Sequence, residues 1–253
     1  MTNITLRPAT LNPPPPVQPP QVDASVTLSS IVSQSLPGTT INLRPGTYED
    51  PDHCYMVFNQ SGIRLIAERG GATFSCSACA GAALVLAASG TELRGIVFQG
   101  LTLMGGGAGE AFEASLVETN VTGSHRSHYD AAEGYLINLQ AGLDISGAHP
   151  MAITLTSCFV SDNQGSGIRF SVPGGQLNLV ASRVSANTNE GNGGGIRVIS
   201  GGLMLSGSHV LNNVAQGAGA SGGGISFEGS TDTLHMHSAS SIVGNTATSN
   251  GKP

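Results

Sequence analysis

Charge is what this chain has least of. Ten Lys+Arg and sixteen Asp+Glu make up 10% of its 253 residues, against about a quarter in an ordinary soluble domain. The formal net charge is −6 and no basic run occurs, so the electrostatic footprint that nucleic acid or an anionic membrane requires is missing. Aromatic residues are also scarce, at 4% with no Trp. A core must therefore be built from small and aliphatic side chains. The longest near-apolar stretch, Ala80 to Ala88, is far short of the ~20 residues of a membrane-spanning helix. The first twenty residues lack the charged-then-apolar layout of a signal peptide. No segment sustains a 3.6-residue apolar period for three turns, which leaves an all-β body.

Glycine and proline, by contrast, are placed with a pattern. Seven of the thirteen Pro fall in the first twenty residues, four of them as Pro13 to Pro16, a composition that favours extended polyproline II. Residues 1–22 read as a Pro-rich disordered or extended tail, and 23–253 as one domain. Gly, at 36 residues, is about twice as frequent as usual. From Val26 onward short Val/Ile/Leu stretches alternate with Gly, Ser and Asn. A short helix around Ser25 to Ser35 would serve as a cap.

An internal repeat decides the architecture. Val160-Ser-Asp-Asn163 leads to Gly165-Ser-Gly-Ile168-Arg-Phe170; Val184-Ser-Ala-Asn187 leads to Gly193-Gly-Gly-Ile196-Arg-Val198; Val210-Leu-Asn-Asn213 leads to Gly222-Gly-Gly-Ile225-Ser-Phe227. A fourth unit opens at Leu234-His-Met236 and reaches Ile242-Val-Gly-Asn245. Fixed motifs at variable spacing near 25 residues, with three short strands per unit, fit a single-stranded parallel β-helix of about nine rungs. In this reading Ile168, Ile196 and Ile225 form one inward column. Asn163, Asn187, Asn213 and Asn245 form a structural column at a corner, where side-chain amides can bond along the axis. Upstream, Thr40 to Tyr48, Gly62 to Ile66, Ala83 to Leu86 and Leu93 to Phe98 supply further strand-length segments.

These residues carry a resemblance. Ile41-Asn-Leu-Arg-Pro-Gly-Thr-Tyr48 followed by Gly62-Ile-Arg-Leu-Ile66 resembles the first rungs of the pectate-lyase-like superfamily. The Val-x-x-Asn…Gly-Gly-Gly-Ile units resemble the repeat of polymorphic outer-membrane proteins. The resemblance implies a right-handed parallel β-helix and, through the second motif, a surface-displayed or adhesin-like domain. The scaffold hosts lyases, hydrolases, adhesins and structural rods, so function must come from the side chains.

The superfamily's hydrolases imply several Asp on neighbouring rungs. This chain has seven Asp in all, none adjacent to another, and no segment matches the polygalacturonase or pectin-esterase motifs, so no residue is assigned to catalysis. Arg169 and Arg197 take equivalent positions on adjacent rungs and could hold an anionic sugar chain. The segment Gly123 to Glu133 is the longest polar departure from the repeat. Its His125, Arg126, His128, Tyr129, Asp130 and Glu133 are the best candidate ligand contacts, because loops on a rigid solenoid are where function is placed. No metal site is complete. Ca²⁺ is the one cofactor the residues would suit, at the acidic turn Glu49 to His53. His235 and His237 share a strand face, outward or inward according to how the last unit aligns. Cys54, Cys76 and Cys79 are disulfide candidates for an exported protein. Cys158 shares its column with Ser182, Ser208 and Ser240, as a small free thiol.

The pattern stops after Asn245, where another Gly-Gly-Gly-Ile strand is due. This predicts that the natural chain continues or that its last rung docks on a partner. The leading expectation is a non-catalytic extracellular or cell-surface β-helix, a structural or adhesive scaffold with a polysaccharide or protein partner. The alternative is a polysaccharide lyase or glycoside hydrolase acting on acidic polysaccharide.

Overall fold

A computed structural model of the chain describes residues 3–6, 27–76, 81–105, 112–123, 128–130, 135–137, 141–228 and 233–249. Strand after strand pairs in parallel with the strand one coil away, and three such faces enclose one core. The first face stacks Ile41, Leu65, Leu93, Leu116, Leu155, Leu179, Leu205 and Met236. The second stacks Tyr48, Phe74, Phe98, Val121, Val160, Val184, Val210 and Ile242. The third stacks Met56, Leu84, Leu103, Ile145, Phe170, Val198 and Phe227. The chain is a parallel β-helix.

Among the described residues the first face has nine strands, counting Asn3–Leu6, the second eight and the third seven, close to the nine or so coils that about 25 residues per coil predicts. The coil from Leu116 to Leu155 is longer than average because it carries 123–140. Alternation explains the burial. On each strand every second residue points inward, and the inward Leu, Ile, Val and Phe are almost all fully buried. Each such side chain contributes roughly 1.5–3 kcal/mol, so the stack of short strands is held by columns and not by any one strand.

Corners need backbone that turns sharply. Leu93 to Phe98 reads as one strand in sequence but is two, Thr91–Arg94 and Ile96–Phe98. They are separated at Gly95, whose φ of 69° suits a residue without a Cβ. Two longer strands, Ser166–Val180 and Ile196–Ser206, bend through a corner without breaking and serve the third and first faces in turn. Ile168, Ile196 and Ile225 do stack in one column.

The N-terminal end is covered by the helix Leu28–Gln34, which buries Leu28, Ile31 and Val32. The Thr27 side chain caps it by accepting from the Ser30 N–H at 3.2 Å. A second helical turn, Pro51–Cys54, lies between the second and third faces of the first coil, with Asp50 as its cap. Asn3–Leu6, inside the segment whose composition reads as a tail, pairs in parallel with Thr40–Leu43. No helix among the described residues is long and apolar enough to cross a membrane.

Candidate functional site

The corner between the second and third faces concentrates the polar chemistry. In coils five to eight it is lined inside by Asn163, Asn187, Asn213 and Asn245, of which the first three are buried. Each amide donates to the Oδ1 of the Asn one coil on, at 2.9 Å in all three steps. That same Oδ1 also accepts the backbone N–H of the preceding Asn, at 2.9–3.1 Å. The second amide hydrogen goes to the carbonyl of Val121, Val160, Val184 or Val210. The ladder's amides therefore draw their partners from the neighbouring coils. Glycine is required beside them: a Cβ on Gly195 would lie 2.8 Å from Asn213 Nδ2, and one on Gly224 2.8 Å from Asn245 Nδ2.

A second ladder marks the corner between the first and second faces. The N–H of Cys158 donates to Ser182 Oγ at 3.1 Å and that of Ser182 to Ser208 Oγ at 3.0 Å. Cys158 is a free, buried cysteine. Burial pushes its thiol up to about 11, against a smaller opposing effect of backbone hydrogen bonding at Thr119 and Thr156, so it is protonated and unreactive at neutral pH.

Outside the Asn ladder the same corner opens as a groove of about 570 Å³ lined by Asp162, Asn163, Gln164, Ala186, Thr188, Glu190 and Gln216. Alternation produces it, because 163, 187 and 189 turn inward while Asp162, Gln164, Ala186, Thr188 and Glu190 turn out. Gln164 bridges to Thr188 and Thr188 pairs with Val214 on successive coils. Asp162, Ala186 and Asn212 hold the left-handed turn position just before each Asn, with φ of 59°, 56° and 53°. Ala186 is the smallest of the three, and its short side chain leaves a notch between its neighbours. Among the described residues, two carboxylates, two outward amides and a hydroxyl thus face one open groove.

The repeat contains Asp162 in its Val160 to Asn163 motif and singles out neither Glu190 nor Gln216. The groove forms between non-equivalent positions of adjacent coils, which spacing does not reveal. The one available signal was the change of residue just before each Asn, from Asp162 to Ala186, Asn212 and Gly244.

Thr122 pairs with Ser161 and Ala141 with Ser166, so both ends of 123–140 stack on the coil that carries Asp162 to Gly165. Within the loop, His128–Asp130 pairs antiparallel with Tyr135–Ile137. The side chains of His128, Tyr129 and Asp130, and all of His125, Arg126 and Glu133, lie outside the described residues.

Arg169 and Arg197 are in register on the third face, and each has a carboxylate partner. Arg169 Nη1 meets Asp144 Oδ1 at 2.8 Å on the preceding coil. Arg197 grips Glu228 on the following coil through two bonds, at 2.9 and 3.3 Å. The Arg197 guanidinium holds the Glu228 carboxyl below its ordinary value, against a smaller opposing effect of burial. Asp144 and Glu228 were missed because the partners sit 25 and 31 residues away across coils of unequal length.

Cys54 and Cys76 form a disulfide with Cα atoms 5.7 Å apart, joining the first and second coils at the same corner; Cys79 lies outside the described residues. The acidic turn has a structural use, since Asp50 accepts from the Asp52 N–H at 3.1 Å to cap the helical turn. His53 packs edge-on to Tyr48 at 5.6 Å. Burial lowers its pKa from 6.5, against Asp50 and Asp52. Leu234 pairs with Leu203 and His235 with Met204, which puts His235 on the outer surface. Among the described residues no three His, Cys, Asp or Glu gather as a metal site would require.

No protein-family model matches this chain, and no curated protein matches it. Among solved structures it is similar to the crystal structure of pectate lyase Pel9A, at 12% identity and a TM-score of 0.31 over 81% of this chain and 73% of that one.

Proposed function

We propose that this protein is an extracellular or cell-surface β-helix that serves as a structural or adhesive scaffold. The observation that carries the reading is the amide ladder, in which each coil completes the hydrogen bonds of the one before it. A shaft joined in this way keeps its outward side chains in fixed register, and pre-set contacts lose less entropy when a partner binds. The Cys54–Cys76 disulfide supports an oxidising compartment. This reading keeps the domain at 23–253 and adds to it Asn3–Leu6, which pairs with its first coil. Assembly on the last described coil, where Leu234, Met236, Ile242 and Val243 are exposed, also belongs to it.

A second reading, a polysaccharide lyase or glycoside hydrolase, is favoured by one observation. Asp162 and Glu190 face a common groove, and paired carboxylates can divide general acid and base work on a glycosidic bond. An acidic polymer held by Arg169 and Arg197 has less support, since both cations already have carboxylate partners.

The test is incubation of the folded chain with neutral and acidic polysaccharides, with and without Ca²⁺, following reducing ends, unsaturated products and retention on the immobilised polymers. The scaffold reading expects no turnover of any polymer. Turnover that Glu190→Gln abolishes would replace it with the enzyme.

A further inference from the structure

We propose that the outer surface of the second face, at Phe159, Arg183 and His209, binds the terminal acidic sugar of a glycan, a single carboxylate carried on a saccharide ring, in preference to a polyuronate. The proposal rests on the adhesive form of the scaffold reading and names its ligand class.

Register assembles the site. The strands Phe159–Ser161, Arg183–Ser185 and His209–Leu211 lie on three consecutive coils. Phe159 pairs with Arg183 and Arg183 with His209, so an aromatic ring, a guanidinium and an imidazole follow one another in one column, about 4.8 Å apart. All three are exposed, Phe159 at 53%. Upstream the same column holds Thr47, Thr73, Val97 and Asn120, all uncharged. The inward Val160, Val184 and Val210 are buried, which anchors each strand and keeps the three side chains facing out. Hydrogen bonds orient the two polar groups. Arg183 Nε donates to Ser185 Oγ at 3.2 Å, and the terminal nitrogens of the guanidinium make no hydrogen bond among the described residues. Arg94, Arg169 and Arg197, by contrast, are each paired with a carboxylate. His209 Nδ1 lies 2.8 Å from Ser241 Oγ on the following coil, which directs Nε2 to the ligand side.

The chemistry of the column selects the ligand. A planar guanidinium takes one carboxylate through two parallel bonds. The Phe159 ring, one coil away, offers an apolar face to the C–H side of a saccharide ring. The imidazole on the other side exchanges a hydrogen bond with a sugar hydroxyl. One guanidinium matches one carboxylate. A polyuronate carries a carboxylate on every residue, and those beyond the first would meet a chain of net charge −6. The closest of its carboxylates by sequence, Glu118 and Asp162, are exposed at the two corners that bound this face. Their repulsion limits the site to a chain end.

The test is calorimetric titration of the full chain with 3′-sialyllactose and 6′-sialyllactose, with lactose, hexagalacturonate and hexaglutamate beside them. At least one sialyllactose should bind saturably, and each of the other three at least about tenfold more weakly. Arg183→Gln should weaken the sialyllactose by about tenfold or more, the size expected for lost bonds to a charged group. Arg183→Lys keeps the charge and loses the fork, so it should fall between the two. Phe159→Ser should weaken binding about three- to tenfold through the lost ring contact. All are exposed positions, and denaturation midpoints recorded beside each titration show that the variants are folded. Binding of neither sialyllactose, equal affinity for lactose, or equal affinity in folded Arg183→Gln overturns the proposal. Equal or tighter binding of hexagalacturonate overturns it in favour of a polyanion, and of hexaglutamate in favour of an acidic protein segment. None of those results touches the structural scaffold reading, which fails instead through turnover in the polymer assay.

Discussion

At the corner between the second and third faces, the first two coils are joined by Cys54–Cys76, whereas the last four are joined by Asn163, Asn187, Asn213 and Asn245. The adjoining inward column changes at the same time. It is aromatic in coils one to three, where Tyr48, Phe74 and Phe98 stack at 5.1 Å, and becomes Val from Val121 to Val210. The two regions share a backbone path and differ in what secures it. Aromatic packing is non-directional and each ring is complete in itself, while an amide in a ladder is satisfied only if its neighbours are in place. The N-terminal coils should therefore tolerate local repacking that the C-terminal coils do not.

The largest effect should come from breaking the ladder. Asn213→Ala removes the acceptor of two buried Asn187 donors and the donor to the Val184 carbonyl. At about 1–3 kcal/mol for each group left unsatisfied, the loss should reach about 3 kcal/mol or more. Phe74→Leu, in the aromatic stack, should cost no more than about 1.5 kcal/mol because it keeps most of the apolar volume. Chemical denaturation of both variants compares the regions directly. Equal costs would erase the distinction.

Reducing Cys54–Cys76 comes next. The bridge spans 22 residues of sequence, and cross-links of this kind contribute about 2–4 kcal/mol. Limited proteolysis after reduction should open the first two coils and leave 160–213 resistant.

Smaller effects follow from titration. His53 carries a folded-state pKa below 6.5 because burial disfavours its charged form. Between that lowered value and 6.5 the unfolded chain binds more protons, so stability is full above 6.5 and declines as pH falls below it. His53→Phe should flatten the change in denaturation midpoint between pH 7.5 and 5.5. Glu228 behaves like other paired carboxylates: its contribution is present above the ordinary 4.5 and is lost as pH falls through the depressed value. The pair is largely exposed, so Glu228→Gln at pH 7 should cost no more than about 1 kcal/mol. The least effect belongs to Cys158→Ser. The next three coils already carry Ser in that column, and the change should stay within about 1 kcal/mol in a thermal melt. In the unsubstituted protein Cys158 should resist thiol reagents until the chain unfolds.

What could be read from sequence follows the same divide. Asn163, Asn187, Asn213 and Asn245 were legible because the ladder demands the same residue on each coil. Gly and Ile were legible beside them for the same reason. Aromatic coils need only apolar bulk, so Tyr48, Phe74 and Phe98 share no motif with Val160 or Val184, although they occupy one column. The ion pairs of Arg169 and Arg197, and the meeting of Asp162 with Glu190 in one groove, depend on register between coils of different length. Spacing fixes that register only once the strands have been paired. The groove was missed because it arises where the repeat is broken at Ala186.

The most direct measurement is native-state hydrogen exchange, followed coil by coil, in the unsubstituted chain and in Asn213→Ala. Amides whose bonds run through the ladder, including those of Asn187 and Asn213, should lose protection together with the strands Arg183–Ser185 and His209–Leu211 that flank the altered coil. Protection in the aromatic coils between Thr40 and Phe98 should stay as it was. Unchanged protection around 183–213, or an equal loss from one end of the molecule to the other, would contradict a shaft secured coil to coil by its amides.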